Sequence, residues 1–141
     1  MKVIVVSGAR SNVGKTHLAH ALCQLLPGAV PVKIGHHPHK AHKAGNYYPM
    51  GTGFSTLSTM HRDARFLIIE SNHILEEITP ECTIYLAADD PKPSARLAME
   101  KADIIRGMPV PDSKISLLAT RLECEEAMIR KIVELAGATI S

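Results

Sequence analysis

Tryptophan is absent from this 141-residue chain, and Phe and Tyr bring the aromatic share to only 4%. So few rings argue against a platform that stacks nucleic-acid bases. Charge of one sign is equally scarce: 16 Lys and Arg against 14 Asp and Glu leave +2, too little to draw nucleic acid or an anionic membrane by bulk electrostatics. Long apolar runs are missing as well. The run nearest the N-terminus, Val3 to Val6, falls far short of the ~20 residues of a membrane span and of a signal-peptide core. The three cysteines, Cys23, Cys82 and Cys124, are odd in number, widely spaced and never in a C-x-x-C pair. Neither a disulfide framework nor a cysteine zinc site is expected, and a reducing cytoplasm is the natural compartment.

What remains is an ordinary globular composition, 45% hydrophobic and 21% charged, in a length that suits one domain over residues 1–141 with a buried core. Lys2 to Val6 is a β-branched run that reads as a buried strand. Residues 15–26 carry Leu18, Leu22, Leu25 and Leu26 at helical spacing, and Pro27-Gly28 ends that helix. Further strands are expected at Val30 to Ile34, Arg65 to Glu70, Cys82 to Ala87 and Ile115 to Ala119. Further helices are expected at Pro93 to Ala102 and at Glu123 to Ala136, the last stopped by Gly137. Strands alternating with helices predict an α/β fold, a three-layer sandwich with a mainly parallel sheet of about five or more strands; the loop motif described next makes the expected fold P-loop NTPase-like.

The motif that carries chemistry stands between the first strand and the first helix. Ala9, Arg10, Ser11, Asn12, Val13, Gly14, Lys15 and Thr16 follow the phosphate-loop pattern G-x-x-x-x-G-K-[ST], with Ala in the first position and Gly8 one residue earlier. Such a loop turns backbone N–H groups around a β-phosphate, and the following helix adds its positive end. Lys15 is expected to reach the β- and γ-phosphates, and Thr16 to ligate Mg²⁺. The metal's second protein partner is expected at the end of a neighbouring strand, where an apolar run closes on Glu70. Ser71, Asn72 and His73 then fall at the carboxyl ends of the strands, where ligands meet an open α/β sheet.

Residues 35–60 show no period. They hold six Gly or Pro positions, no Asp or Glu, and the cluster His36, His37, His39 and His42 among Lys33, Lys40 and Lys43. The segment reads as a long loop that orders over an anionic ligand, because surrounding lysines favour a phosphate or other anion over a metal cation. Tyr47 to Met50 is an apolar knot within it.

On the loop Ala9 to Thr16, on Val32-Lys-Ile-Gly-His-His37 and on Leu67-Ile-Ile-Glu70, the chain resembles the molybdopterin-guanine dinucleotide biosynthesis protein B family. Lys101-Ala-Asp-Ile-Ile105 is similar to a stretch of the wider metallochaperone GTPase class. The resemblance implies GTP (or ATP) with Mg²⁺ as ligands, Lys33, His36 and His37 as further ligand contacts, and a molybdopterin guanylyltransferase as partner. The acidic residue that the family carries after its histidines is missing, so the implied GTP hydrolysis is slow or absent. Arg10 stands where the wider class has a lysine contributed across a dimer, which adds a homodimer to the expectations. The N-K-x-D pattern of guanine readers is replaced after the expected fifth strand by Thr120-Arg-Leu-Glu123, where Glu123 could accept from guanine but is equally expected as a glutamate at a helix N-terminus. Two alternatives stay open: a small-molecule P-loop kinase or ligase, and a nucleotide-dependent metal-delivery module built on the histidines.

Overall fold

The computed structural model describes residues 1–35 and 46–141. Its frame is a six-stranded sheet in the order β3-β2-β4-β1-β5-β6, in which each neighbouring pair is parallel. The strands are β1 (Lys2–Gly8), β2 (Ala29–Gly35), β3 (Tyr47–Pro49), β4 (Phe66–Glu70), β5 (Cys82–Leu86) and β6 (Ile104–Ile105). The helices are α1 (Lys15–Leu25), α2 (Phe54–Met60), α3 (Ala95–Lys101), α4 (Asp112–Leu122) and α5 (Glu126–Leu135). A second, parallel pair joins β7 (Pro109–Val110) to β8 (Thr139–Ile140).

Alternation along the strands builds two cores. Ile4, Val6, Phe66, Ile68, Ile84 and Leu86 face one way, onto α1, α4 and α5. Val3, Val5, Leu67, Ile69 and Tyr85 face the other way, onto α2, α3 and a 3-10 turn at His73–Glu76. Helices on both faces make the arrangement compatible with a three-layer sandwich. Because both faces are covered, β4 and β5 are buried at every position, which is why they read in sequence as unbroken apolar runs. Each fully buried Leu or Ile contributes about 1.5–3 kcal/mol.

Two sequence expectations are corrected. Ile115 to Ala119, expected as a strand, lies inside the helix α4. Ile115, Leu117 and Ala119 alternate as a strand would, but Leu117 is 42% exposed while Ile115, Leu118, Ala119 and Leu122 are buried. That set has the helical spacing of three and four, and it packs against the shared core. The sheet position next to β5 is taken instead by the two-residue β6, within the stretch Lys101 to Ile105. Residues 35–60 are not one loop: they contain β3 and α2. The α2 helix is short and held by one fully buried side chain, Leu57. Residues 36–45, with His36, His37, His39, His42, Lys40 and Lys43, lie outside the described residues.

No described helix is long and apolar enough to cross a membrane.

Candidate functional site

Chain direction creates the crevice. From β1 the chain passes to α1 on one face. From β4, its neighbour, it passes to the 3-10 turn on the other face. Adjacent strands whose connections leave to opposite sides part at their carboxyl ends, the usual place for a ligand in an open parallel sheet. A cavity of about 610 Å³ opens there, lined by the β1–α1 loop, the ends of β2 and β4, and residues around Lys92.

The loop is folded back on itself. Asn12 has φ 61° and Gly14 has φ 105°, so two of its residues are left-handed. Asn tolerates that region better than other non-glycine residues. Gly14 caps α1 and accepts its first helical hydrogen bond, from the Leu18 N–H at 3.0 Å. The need for glycine at the start of the loop falls on Gly8, where a methyl group would stand 2.6 Å from Val13 Cγ2 and 3.1 Å from Lys15 Cδ. Ala9 serves the core instead: it is fully buried, and its N–H donates to the Leu86 carbonyl at 3.0 Å.

Asn72 fixes the entry to the loop. The β1–β4 ladder ends at Val6 and Glu70. Beyond it, the Gly8 N–H donates to Asn72 Oδ1 at 2.9 Å, and Asn72 Nδ2 donates to the Gly8 carbonyl at 2.9 Å. A side-chain amide thus stands in for one more rung of backbone. Ser71 and Asn72 both line the cavity, as expected, and the Ser71 hydroxyl also accepts from the Ile74 N–H at 3.2 Å. His73 pairs with Glu76 at 3.0 Å on the exposed turn.

Thr16 and Glu70 meet as the sequence predicts. The Thr16 hydroxyl donates to Glu70 Oε1 at 2.7 Å. Register explains the meeting: Val6, Glu70 and Lys33 are partners across three adjacent strands, and partners in a parallel sheet point to one face, here that of α1. Lys33 Nζ accordingly lies 3.6 Å from the same carboxylate oxygen, which is nearly buried. The stem of Lys33 runs to a charge 5.6 Å from the Tyr47 ring centroid. Two oxygen donors side by side, one of them a buried carboxylate, match what Mg²⁺ prefers.

Around that one carboxylate the charge is positive. Lys15 Nζ donates to the Arg10 carbonyl at 3.3 Å. Lys92 Nζ donates to the Ser11 hydroxyl at 3.2 Å, and Arg10 Nε to the Asp89 carbonyl at 2.9 Å. Burial pushes the Lys15 ammonium below the ordinary lysine value of 10.5. The Glu70 carboxylate opposes that shift, and the Lys33 and Lys92 charges add to it. An anion in the cavity would relieve this strain on Lys15.

No family model, curated protein or solved structure matches the chain.

Sequence reasoning placed Arg10, Ser11, Asn12, Gly14, Lys15, Thr16, Lys33 and Glu70 together, and all of them line the cavity. It missed three contributors. Lys92 was visible only as a lone basic residue near a proline. Gly8 stood one position outside the expected motif. Arg106 carries no local signal at all, yet its guanidinium donates to the Val13 carbonyl at 2.7 Å, 93 positions away in sequence. Glu123, weighed either as a guanine reader or as a helix N-terminal residue, sits elsewhere. It ends α4 with φ 53° and pairs with Lys2 at 3.3 Å, at the amino end of β1. The expectation failed because the strand that would have led to it is a helix. Among the described residues no group of three or more His, Cys, Asp or Glu is arranged to hold a metal ion. The histidine cluster expected to contact an anion lies outside the described residues.

Proposed function

We propose that this chain is a P-loop nucleotide-binding protein that acts as a GTP-binding accessory factor in molybdenum-cofactor maturation. The observation that carries the nucleotide part is the Thr16–Glu70 contact at 2.7 Å at the mouth of a left-handed loop, beside Lys15. A hydroxyl and a carboxylate in contact would hold a magnesium ion. Magnesium held there would supply charge neutralisation to a polyphosphate. Lys15, already strained by burial among like charges, would gain an anionic partner, and the amino end of α1 would face the same charge. Lys33, released from Glu70, would be free to contact the ligand. Cys23, Cys82 and Cys124 are unpaired, which suits a reducing cytoplasm.

The choice of guanine, the molybdopterin guanylyltransferase partner and a homodimer rest on the sequence resemblance. Hydrolysis is expected to be slow. A second reading, a small-molecule kinase or ligase, draws support from the cavity's lining, which among the described residues extends past the loop to Tyr47 and Met50.

Equilibrium binding of GTP and ATP with Mg²⁺ to the wild type and to Lys15→Ala tests the proposal. GTP should outcompete ATP, and Lys15→Ala should weaken both. Equal competition would favour the kinase-like reading, and binding indifferent to Lys15 would remove the nucleotide site altogether.

A further inference from the structure

Arg106 follows the two-residue β6 and directs its whole guanidinium onto backbone carbonyls. Nε and Nη2 donate to the Ala87 carbonyl at 3.3 and 2.7 Å, and Nη1 donates to the Val13 carbonyl at 2.7 Å. Ala87 directly follows β5, so the side chain ties the β1–α1 loop to the end of a central strand. Its own seat is tight: at Gly137, whose φ is 78°, a methyl group would lie 3.1 Å from Arg106 Cγ. The Gly107 N–H donates to the Gly137 carbonyl at 3.0 Å, which anchors the base of the side chain against the end of α5.

A peptide unit has two ends, and in the trans form its C=O and N–H point in opposite directions. Among the described residues there is no cis peptide bond. With the Val13 carbonyl drawn toward Arg106, the N–H of the same peptide, which belongs to Gly14, is turned the other way, and Gly14 lines the cavity. A Val13 carbonyl turned inward would instead present a negative dipole to any anion there. Gly14 tolerates either sign of φ, so on its side of the peptide the backbone offers little resistance to a flip, and a contact that holds the Val13 carbonyl outward matters.

We infer that Arg106 is a positioning residue: it orients the Val13–Gly14 peptide so that the Gly14 N–H faces the cavity, and the loop's affinity for a polyphosphate depends on it. The affinity half of this inference rests on reading the loop as an anion cradle; the orientation half does not. A bidentate fork suits this role, since one planar group must satisfy two carbonyls in fixed directions. Lysine could reach one of them but not hold both.

The test uses ¹⁵N-labelled protein without ligand, with inorganic triphosphate and with Mg²⁺-GTP, as wild type, Arg106→Gln and Arg106→Lys. Residual dipolar coupling of the Gly14 N–H reports the peptide's orientation before any ligand is added. In both variants it should differ from the wild type, and triphosphate affinity should fall roughly 10- to 100-fold, as for a lost hydrogen bond to a charged group. The downfield shift of the Gly14 amide on binding should shrink in parallel, which a general loss of stability would not produce. An unchanged Gly14 coupling in Arg106→Gln overturns the inference. So does wild-type affinity in Arg106→Lys, which would assign the effect to charge alone. If the variants do not fold, the through-hydrogen-bond coupling from the Arg106 guanidinium to the Val13 carbonyl carbon in the wild type decides: it should persist as triphosphate is added, and its loss on binding overturns the inference. If the wild type binds neither ligand, the nucleotide reading and the affinity half fall together, and the orientation half is still judged by the ligand-free Gly14 coupling.

Discussion

At the amino end of the sheet Asp103 holds Lys114 at 3.3 Å and Arg121 at 3.2 Å, and Glu123 holds Lys2 at 3.3 Å. At the carboxyl end, Arg10, Lys15, Lys33 and Lys92 gather around the single carboxylate of Glu70, and three of the four donate to neutral oxygens. Similar residue types thus serve opposite purposes. Charges closed on each other fasten secondary structure, and a second cavity of about 460 Å³ opens beside the Asp103–Arg121 pair. Charges left in excess raise the local positive potential and wait for a partner. Within the stretch Lys101 to Ile105, Asp103 belongs to the first kind, whereas Lys101 Nζ donates to the neutral Leu75 carbonyl at 2.6 Å. Asp103 Oδ2 accepts from the Thr83 N–H at 2.9 Å, and the Asp103 N–H returns a bond to the Thr83 carbonyl at 2.8 Å, so this stretch extends the pairing of β5 and β6.

The contrast is sharpest in paired substitutions. Lys15→Ala should cost about 1.5–3 kcal/mol of triphosphate binding, the value of a hydrogen bond to a charged group, with the fold intact by circular dichroism. Calorimetry showing equal affinity would break the comparison at its carboxyl end. Asp103→Ala should do the reverse. It strands the buried Thr83 N–H and two cations, which should cost about 1–3 kcal/mol of folding stability in denaturant melts, while triphosphate affinity stays within about twofold of the wild type. A large loss of affinity with little loss of stability would mean that the two ends are not separate in function.

Why some of this was legible in sequence and some not follows from the range of each interaction. The strands β1, β4 and β5 announced themselves because burial on both faces demands apolar residues at every step. Thr16 and Glu70 could be paired on paper because the loop pattern fixes one and the end of an apolar strand fixes the other. Ile115 to Ala119 misled because five residues satisfy a period of two and a period of 3.6 almost equally, and only the exposure of Leu117 separates them. Asn72 lines the cavity as expected, but its double bond to the Gly8 backbone was not legible, since a polar residue after a buried strand carries no mark of which neighbour will use it. Arg106 was beyond reach: its partners Val13 and Ala87 contribute only backbone carbonyls, which every residue has. The residue pattern therefore brought the cavity-lining residues together on paper, while the contacts that hold the loop in shape run to backbone groups that carry no sequence signature.

The smallest expected effect lies in the alkaline limb of stability, where the unneutralised charge of the carboxyl end can be read without any ligand. The Lys15 pKa is lowered in the folded protein from its ordinary 10.5, chiefly by burial. Between that lowered value and 10.5 the unfolded chain binds more protons at this position than the folded one. Stability contributed by Lys15 must therefore rise with pH across that window and reach its full value above 10.5. The raw profile will hide this rise, because burial raises Cys23 from 9.0 to about 11 in the folded state and raises Cys124 and Tyr85 as well. Those groups hold their protons longer when folded, so they lower stability as pH climbs through the same range. Subtracting the melts of Lys15→Met from those of the wild type removes the common part. The difference should favour Lys15→Met near neutral pH and shrink steadily as pH approaches 10.5. Adding triphosphate at neutral pH should shrink it as well, since an anion restores the proton's partner. A difference curve that is flat with pH would mean that Lys15 is not strained in the folded protein and that its charge is already settled, as at the amino end.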